Sequence, residues 1–447
     1  MKTLKKLLNV ILCCFMACTF FLVGCDNSTG EEPAEPVTVT KIVLSEEDVE
    51  LLAGDNYDIT ATAYNGEQEV EVALTWSSSE PSVAKVNNGK IIALSGGMTT
   101  LTASYGEVKD SVKVFVAERI TAQNVNSFNE EYMNIYGRYY VADGKLNLDH
   151  CANGVELAII GTSLSVDITS TVDNSYLRVY VDNDAEGTRK KISKGENTYT
   201  VAENLTNDYH KIRLVKATEM LHSSWDVSNF TATAFATLPE KSDLKIEFIG
   251  DSITAGNANL GSSGDAWSVD NSDSAKTYAY FTAQELNADY SIVAMSGICV
   301  KAYHWVKNTN MSTLYTYTSN INQQAYDYSF KPDVIVLNLG TNDANYMTKP
   351  EGSNYGSQFP NDYRAYLTFL RQKNPGAYII CLYGMMGKNL SVDANIQAIV
   401  DSSNDAKLVY NPFEFEANTL GGAYHPSLSA QKTWGEALAE YIQGLNV

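Results

Sequence analysis

The sequence predicts a multidomain chain in which two β-sandwiches precede an α/β domain built on a parallel sheet. Its 447 residues exceed what one ordinary core accommodates, so several domains are expected. Short stretches of alternating apolar and polar residues fill the first half, as half-buried antiparallel strands do. Beyond Leu238 the pattern changes to apolar strands separated by segments with helical spacing, the signature of a parallel sheet covered by helices.

The chain opens MKTLKKLLNVILCCFMACTFFLVGC, where Lys2, Lys5 and Lys6 precede an apolar run, the order of a secretory leader. The run from Leu7 to Val23 also approaches membrane-spanning length, so a single transmembrane anchor is the alternative. Its end, LVGC, resembles a bacterial lipobox; this implies a leader over residues 1–24, acylation of Cys25 and a polar linker over 25–37. Either reading gives an exported, membrane-anchored protein with its bulk outside the cytoplasm, and the lipobox implies a lipoprotein at the cell surface.

With 32 basic and 53 acidic side chains the net charge is -21, which argues against nucleic acid as a partner. Cys13, Cys14 and Cys18 leave with the leader, and only Cys151, Cys299 and Cys381 remain besides Cys25, too few for a disulfide framework. Five histidines without a Cys/His pair at ligand spacing give no metal site, and no cofactor is expected. A monomer is expected.

Residues 38–118 contain TKIVLS, YDITATAY, VALTWSSS, SVAKVNNGKIIAL, MTTLTASYG and DSVKVFVAE, short strands between turn signals. They resemble the bacterial immunoglobulin-like group 2 repeat, with Trp76 in the core, a Ser-rich bend before Pro81 and Gly89 at a hairpin turn. The resemblance implies a spacer or binding module. Residues 119–239 continue the β pattern through GVELAIIGTSLSVDITS, SYLRVYVDND and HKIRLVKATEM, a second sandwich. His150, His210 and His222 lie there, scattered and without a catalytic pattern, and read as structural.

Residues 240–447 carry the strands LKIEFIG, YSIVAMSG, DVIVLNLG, AYIICLYG and KLVYNP. In DYRAYLTFLRQK, Tyr363, Tyr366, Leu367 and Leu370 share one helical face. A ligand is expected at the carboxyl ends of such strands. Four stretches fall there or before the last helix: GDSIT with Ser252, SGICV with Gly297, LGTNDAN with Asn342 and YHPS with His425. Each has a plain explanation, since Ser caps helices, Gly and Asn make turns and a His before Pro is usually at the surface. Together they supply a nucleophile, a base, a side-chain amide and a backbone donor, the set that acyl transfer needs.

These four blocks resemble those of the SGNH, or GDSL-type, hydrolases, in the same chain order; no Gly-x-Ser-x-Gly elbow is present. The resemblance implies a three-layer, flavodoxin-like domain in which Ser252 attacks the carbonyl and His425 takes its proton. The amides of Ser252 and Gly297 and the Asn342 side chain would form the oxyanion hole. The family usually places an Asp three residues before the His, where this chain has Gly422. A backbone carbonyl could hold the imidazole instead, so a Ser252–His425 dyad is expected. The jelly-roll-like module ahead of KIEFIGDSITAG further resembles carbohydrate esterase family 2, which implies removal of acetyl groups from polysaccharides such as xylan or glucomannan. Trp267, Tyr303 and Trp305 would then stack on sugar, unless they are core residues. Asp343 would touch substrate or fix its loop. Two rivals stay open: an esterase of other acyl esters, and a non-catalytic carbohydrate-binding or adhesion protein.

Overall fold

The computed structural model describes residues 37–129, 131–319, 321–412, 419–445 and 447. The expected leader and the lipidation site Cys25 lie outside the described residues. Cys151, Cys299 and Cys381 are buried free thiols.

The first part is all β. A four-stranded sheet runs Asp48–Leu52, Val108–Ala117, Gly97–Tyr105, Thr75–Ser78, beside two three-stranded sheets. Ile42, Val49, Ala63, Ile91, Leu101 and Val114, drawn from all three, share one core. Trp76 is only partly buried, packed against that core rather than inside it. The hairpin Ala84–Asn87 to Lys90–Ala93 turns on Asn88 and Gly89, both at positive φ (46° and 79°), as a two-residue primed turn requires. Phe115 and Ala117 pack on Ala158, Ile160, Ala234 and Ala236 of the next part, and Lys211 pairs with Glu50 across the same junction.

The second part is a sheet of eleven strands organised around the 17-residue strand Gly154–Ser170. That strand pairs with Trp225–Ala236 along much of its length, with the register broken between Ile160 and Leu164. Its other edge pairs first with Asp208–Lys216 and then with Gly195–Ala202, so the sheet folds over a core containing Leu146, Leu157, Val166, Ile212 and Phe230.

The third part holds five parallel strands in the spatial order Asp289–Ala294, Lys245–Gly250, Val334–Asn338, Tyr378–Leu382, Leu408–Tyr410. Alternation along each strand feeds two cores. Phe248, Val336 and Ile380 meet the helices Tyr278–Glu285 and Leu428–Gln443 on one face. Ile249, Leu337 and Cys381 meet Tyr355–Lys373 and Leu390–Asp401 on the other. Tyr363, Tyr366, Leu367 and Leu370 all face inward, as their spacing requires. The chain begins this sheet near its middle, and the carboxyl ends of Lys245–Gly250 and Val334–Asn338 form its switch point.

The β-rich second part is locked to this domain. Arg138 pairs with Glu247 at 3.0 Å with both side chains buried, and Tyr315 and Ser291 donate their hydroxyls to the same carboxylate. The guanidinium lies over the Tyr315 and Tyr326 rings, at 4.2 and 3.7 Å from their centroids. Glu247 is thus a buried charge in a central strand, matched by a cation from the neighbouring part.

Candidate active site

Strand Lys245–Gly250 ends in a one-turn helix, Ser252–Ala255, and Asp251 is its N-cap, accepting the Ile253 N–H at 3.0 Å. Capping therefore falls to Asp251, and Ser252 is the first helical residue with its hydroxyl free for another partner. That partner is His425, whose Nε2 lies 2.8 Å from Ser252 Oγ. Nδ1 of the same ring lies 2.9 Å from the Ala423 carbonyl oxygen. A carbonyl only accepts, so Nδ1 carries the proton and Nε2 presents its lone pair to the Ser252 O–H.

The segment bearing His425 is bent into place. Ala423 and Tyr424 sit at φ 49° and 61°, left-handed positions that cost non-glycine residues roughly 1–2 kcal/mol each. The Gly422 N–H donates to Ala258 O at 3.0 Å and the Ala423 N–H to Asp265 O at 2.8 Å, which holds the bend against that strain. A Cβ on Gly422 would approach the Ala258 Cβ to 3.1 Å and Asn271 Nδ2 to 3.2 Å. A side chain there would crowd both neighbours, and the Ala423 carbonyl does the orienting. Burial pushes the His425 pKa down, against the Ala423 carbonyl bond and the charge of Glu219.

Gly297 lies in the turn after Asp289–Ala294 at φ 78°, and a Cβ there would stand 2.7 Å from the Trp305 Cβ. Asn342, in the first turn of helix Thr341–Met347, is buried; its Nδ2 donates to Ile298 O at 3.1 Å and approaches Asp251 Oδ2 at 3.4 Å. Those contacts tie the amide to the turn that carries Gly297 and to the strand end that carries Ser252.

Asp343, for which the sequence left substrate contact and loop fixing open, is 0 % exposed, accepting the Val300 N–H at 3.2 Å on each oxygen and the Tyr355 hydroxyl at 3.0 Å. Those bonds fix the loop behind Asn342. Burial raises both Asp251 and Asp343 to about 7.

Trp305, Tyr303 and Trp267 are 63, 49 and 40 % exposed, too open for simple core residues. Trp305 leans on Gly297 and on His304, ring centroids 4.7 Å apart, and His304 is fixed by Asn345 at 2.9 Å. Trp267 packs on His222 of the β-rich part, centroids 4.6 Å apart. Arg189 of the same part clamps the Trp267 loop through the carbonyls of Val269, Asp270 and Ser272. Two neighbours escape the sequence reading, Tyr424, 76 % exposed beside His425, and Glu219, which faces the His222 that the sequence reads as structural. Only Tyr424 carries a local signal, its place next to the histidine. A separate cavity of about 490 Å³, lined in part by Tyr180, Arg213, Tyr280 and Lys432, contains neither Ser252 nor His425.

Comparison with known proteins agrees with this division. Residues 135–240 match the carbohydrate esterase 2 N-terminal model, and residues 248–440 match the GDSL-like lipase/acylhydrolase family. The chain is 28% identical to the cellulase/esterase CelE of Acetivibrio thermocellus, over 69% of this chain and 39% of that protein. It is 34% identical to an acetylxylan esterase / glucomannan deacetylase of Cellvibrio japonicus, over 42% of this chain and 53% of that protein. The chain thus spans about two fifths to one half of these relatives. Among solved structures, a family two carbohydrate esterase from Clostridium thermocellum in complex with cellohexaose superposes with a TM-score of 0.64 at 26% identity, covering 70% of this chain and 98% of that one.

Proposed function

We propose that this protein is a carboxylic ester hydrolase that removes O-acetyl groups from polysaccharide of the xylan or glucomannan type, working through a Ser252–His425 dyad. The observation that carries the reading is the 2.8 Å contact between Ser252 Oγ and His425 Nε2 with the opposite ring nitrogen held by Ala423 O.

In the first half-reaction Ser252 Oγ bonds to the acetyl carbon while its proton passes to His425 Nε2. The carbonyl oxygen becomes an oxyanion that the Ser252 and Gly297 N–H groups and the Asn342 amide stabilise. As the bond between the acetyl carbon and the sugar oxygen breaks, His425 gives its proton to that oxygen, which leaves as the free sugar hydroxyl. Water then attacks the acetyl-enzyme, giving its proton to His425, and collapse releases acetic acid and restores Ser252. The Ala423 carbonyl keeps the ring in the required tautomer throughout.

The substrate class is supported by the exposed rings of Trp267, Tyr303, Trp305 and Tyr424, which offer flat apolar faces to sugar, and by the named activities of the relatives. In the same proposal the residues from 38 to 118 form an immunoglobulin-like spacer, residues 119–239 a jelly-roll-like module and residues 240–447 the catalytic domain. Lipid on Cys25 ties the monomer to the cell surface.

Rates on p-nitrophenyl acetate, butyrate and octanoate, with Ser252→Ala as control, test the reaction class. The acetate is expected to be the best substrate. A preference for octanoate sinks the sugar-acetyl reading, and a wild-type rate no greater than that of Ser252→Ala leaves a carbohydrate-binding protein.

A further inference from the structure

Glu219 belongs to the β-rich part, three residues past the strand Asp208–Lys216, yet its carboxylate reaches the catalytic domain. It is buried, and Oε2 accepts the Ser296 N–H at 2.8 Å. Ser296 immediately precedes Gly297, and its hydroxyl accepts from Asn257 Nδ2 at 3.1 Å. The other oxygen of Glu219 faces His222 Nε2 at 3.3 Å, and that ring packs on Trp267.

The segment carrying Glu219 is pinned on both sides. The Ala217 carbonyl accepts the Ser274 N–H at 2.8 Å, and Met220 is buried in the core of the parallel-sheet domain among Ile249, Val293 and Met295. A long flexible acid is thereby fixed to one place. A buried carboxylate that served only to satisfy one amide would be a costly choice, since a neutral acceptor does the same at a smaller desolvation penalty.

We propose that Glu219 is a positioning residue of the active site, holding the Ser296–Gly297 turn so that the Gly297 N–H faces the oxyanion. The proposal rests on the ester-hydrolase reading above.

The test compares wild type with Glu219→Gln and Glu219→Ala in the full chain, reading kcat and KM on a small acetyl ester and the hydrogen exchange of the Ser296 amide by NMR. Glu219→Gln keeps an acceptor for the Ser296 N–H, so protection of that amide and kcat are expected to stay close to wild type. Glu219→Ala removes the acceptor, and kcat is expected to fall about 10-fold or more, short of the ~10²–10³ for losing an oxyanion donor outright, with little change in KM. Wild-type kcat in a folded Glu219→Ala overturns the proposal, as does a Glu219→Gln variant that loses Ser296 protection and kcat as fully as the alanine variant. Because the exchange measurement needs no turnover, it is read independently of the comparison with Ser252→Ala, which decides the ester-hydrolase reading.

Discussion

His425 Nδ1 donates to the carbonyl of Ala423, two residues earlier in the chain, at 2.9 Å. The base is oriented by its own loop, and the orientation depends on left-handed backbone at Ala423 and Tyr424. Such local strain persists where the surroundings over-determine it, here through Ala258 and Asp265.

The pH dependence follows from burial of that ring. An imidazole works as base only when neutral, and desolvation disfavours the imidazolium, so the neutral form survives to lower pH. The acid limb of kcat/KM is expected to have its midpoint below the ordinary histidine value of about 6.5. A midpoint clearly above that value contradicts the burial argument.

Asn342 is tied to Ile298 and lies close to Asp251, and carries no part of either large core. Asn342→Ala is expected to lower kcat by about 10² to 10³. Circular dichroism and thermal unfolding of the variant should match wild type closely; a collapse of folding would make Asn342 structural instead.

The exposed rings separate polymer binding from bond breaking. Trp305→Ala and Tyr424→Ala are expected to raise KM for acetylated oligosaccharide, by roughly 10-fold or more at about 1.5–3 kcal/mol of lost contact per ring. Parallel assays on p-nitrophenyl acetate should show much smaller changes. Equal losses on both substrates would place these rings in the chemistry.

Arg138 neutralises Glu247 in the interior, where both side chains are 1% exposed. Removing one partner leaves a buried charge without compensation, typically at a cost of 3–5 kcal/mol. Arg138→Met is therefore expected to shift the urea midpoint sharply downward, and Arg138→Met with Glu247→Leu to recover part of the loss. Denaturation curves for the two variants check this.

The layout of the parallel-sheet domain was readable because its strands and helices follow simple periods, as in the inward face of Tyr363, Tyr366, Leu367 and Leu370. Ser252, Gly297, Asn342 and His425 were readable because each stands at a strand end or before the last helix. The cap was not, since GDSIT offers both Asp251 and Ser252 for it and only the folded turn chooses. Nor was the burial of Asp343, because a carboxylate after Asn reads as exposed unless Tyr355 and Val300 are known to close over it. The Ala423 carbonyl leaves no trace in residue type, as positive φ at Ala and Tyr runs against their preference. Glu219 lies outside the motif-bearing part altogether, and only packing between two parts of the chain brings it to Ser296.

The most direct measurement is acetate release from acetylated glucomannan or xylan by the purified protein beside its Ser252→Ala and His425→Ala variants. Wild type is expected to release acetate steadily, with both variants lower by at least about 10³-fold. Absence of acetate release by wild type, or release that survives either substitution, would contradict the dyad.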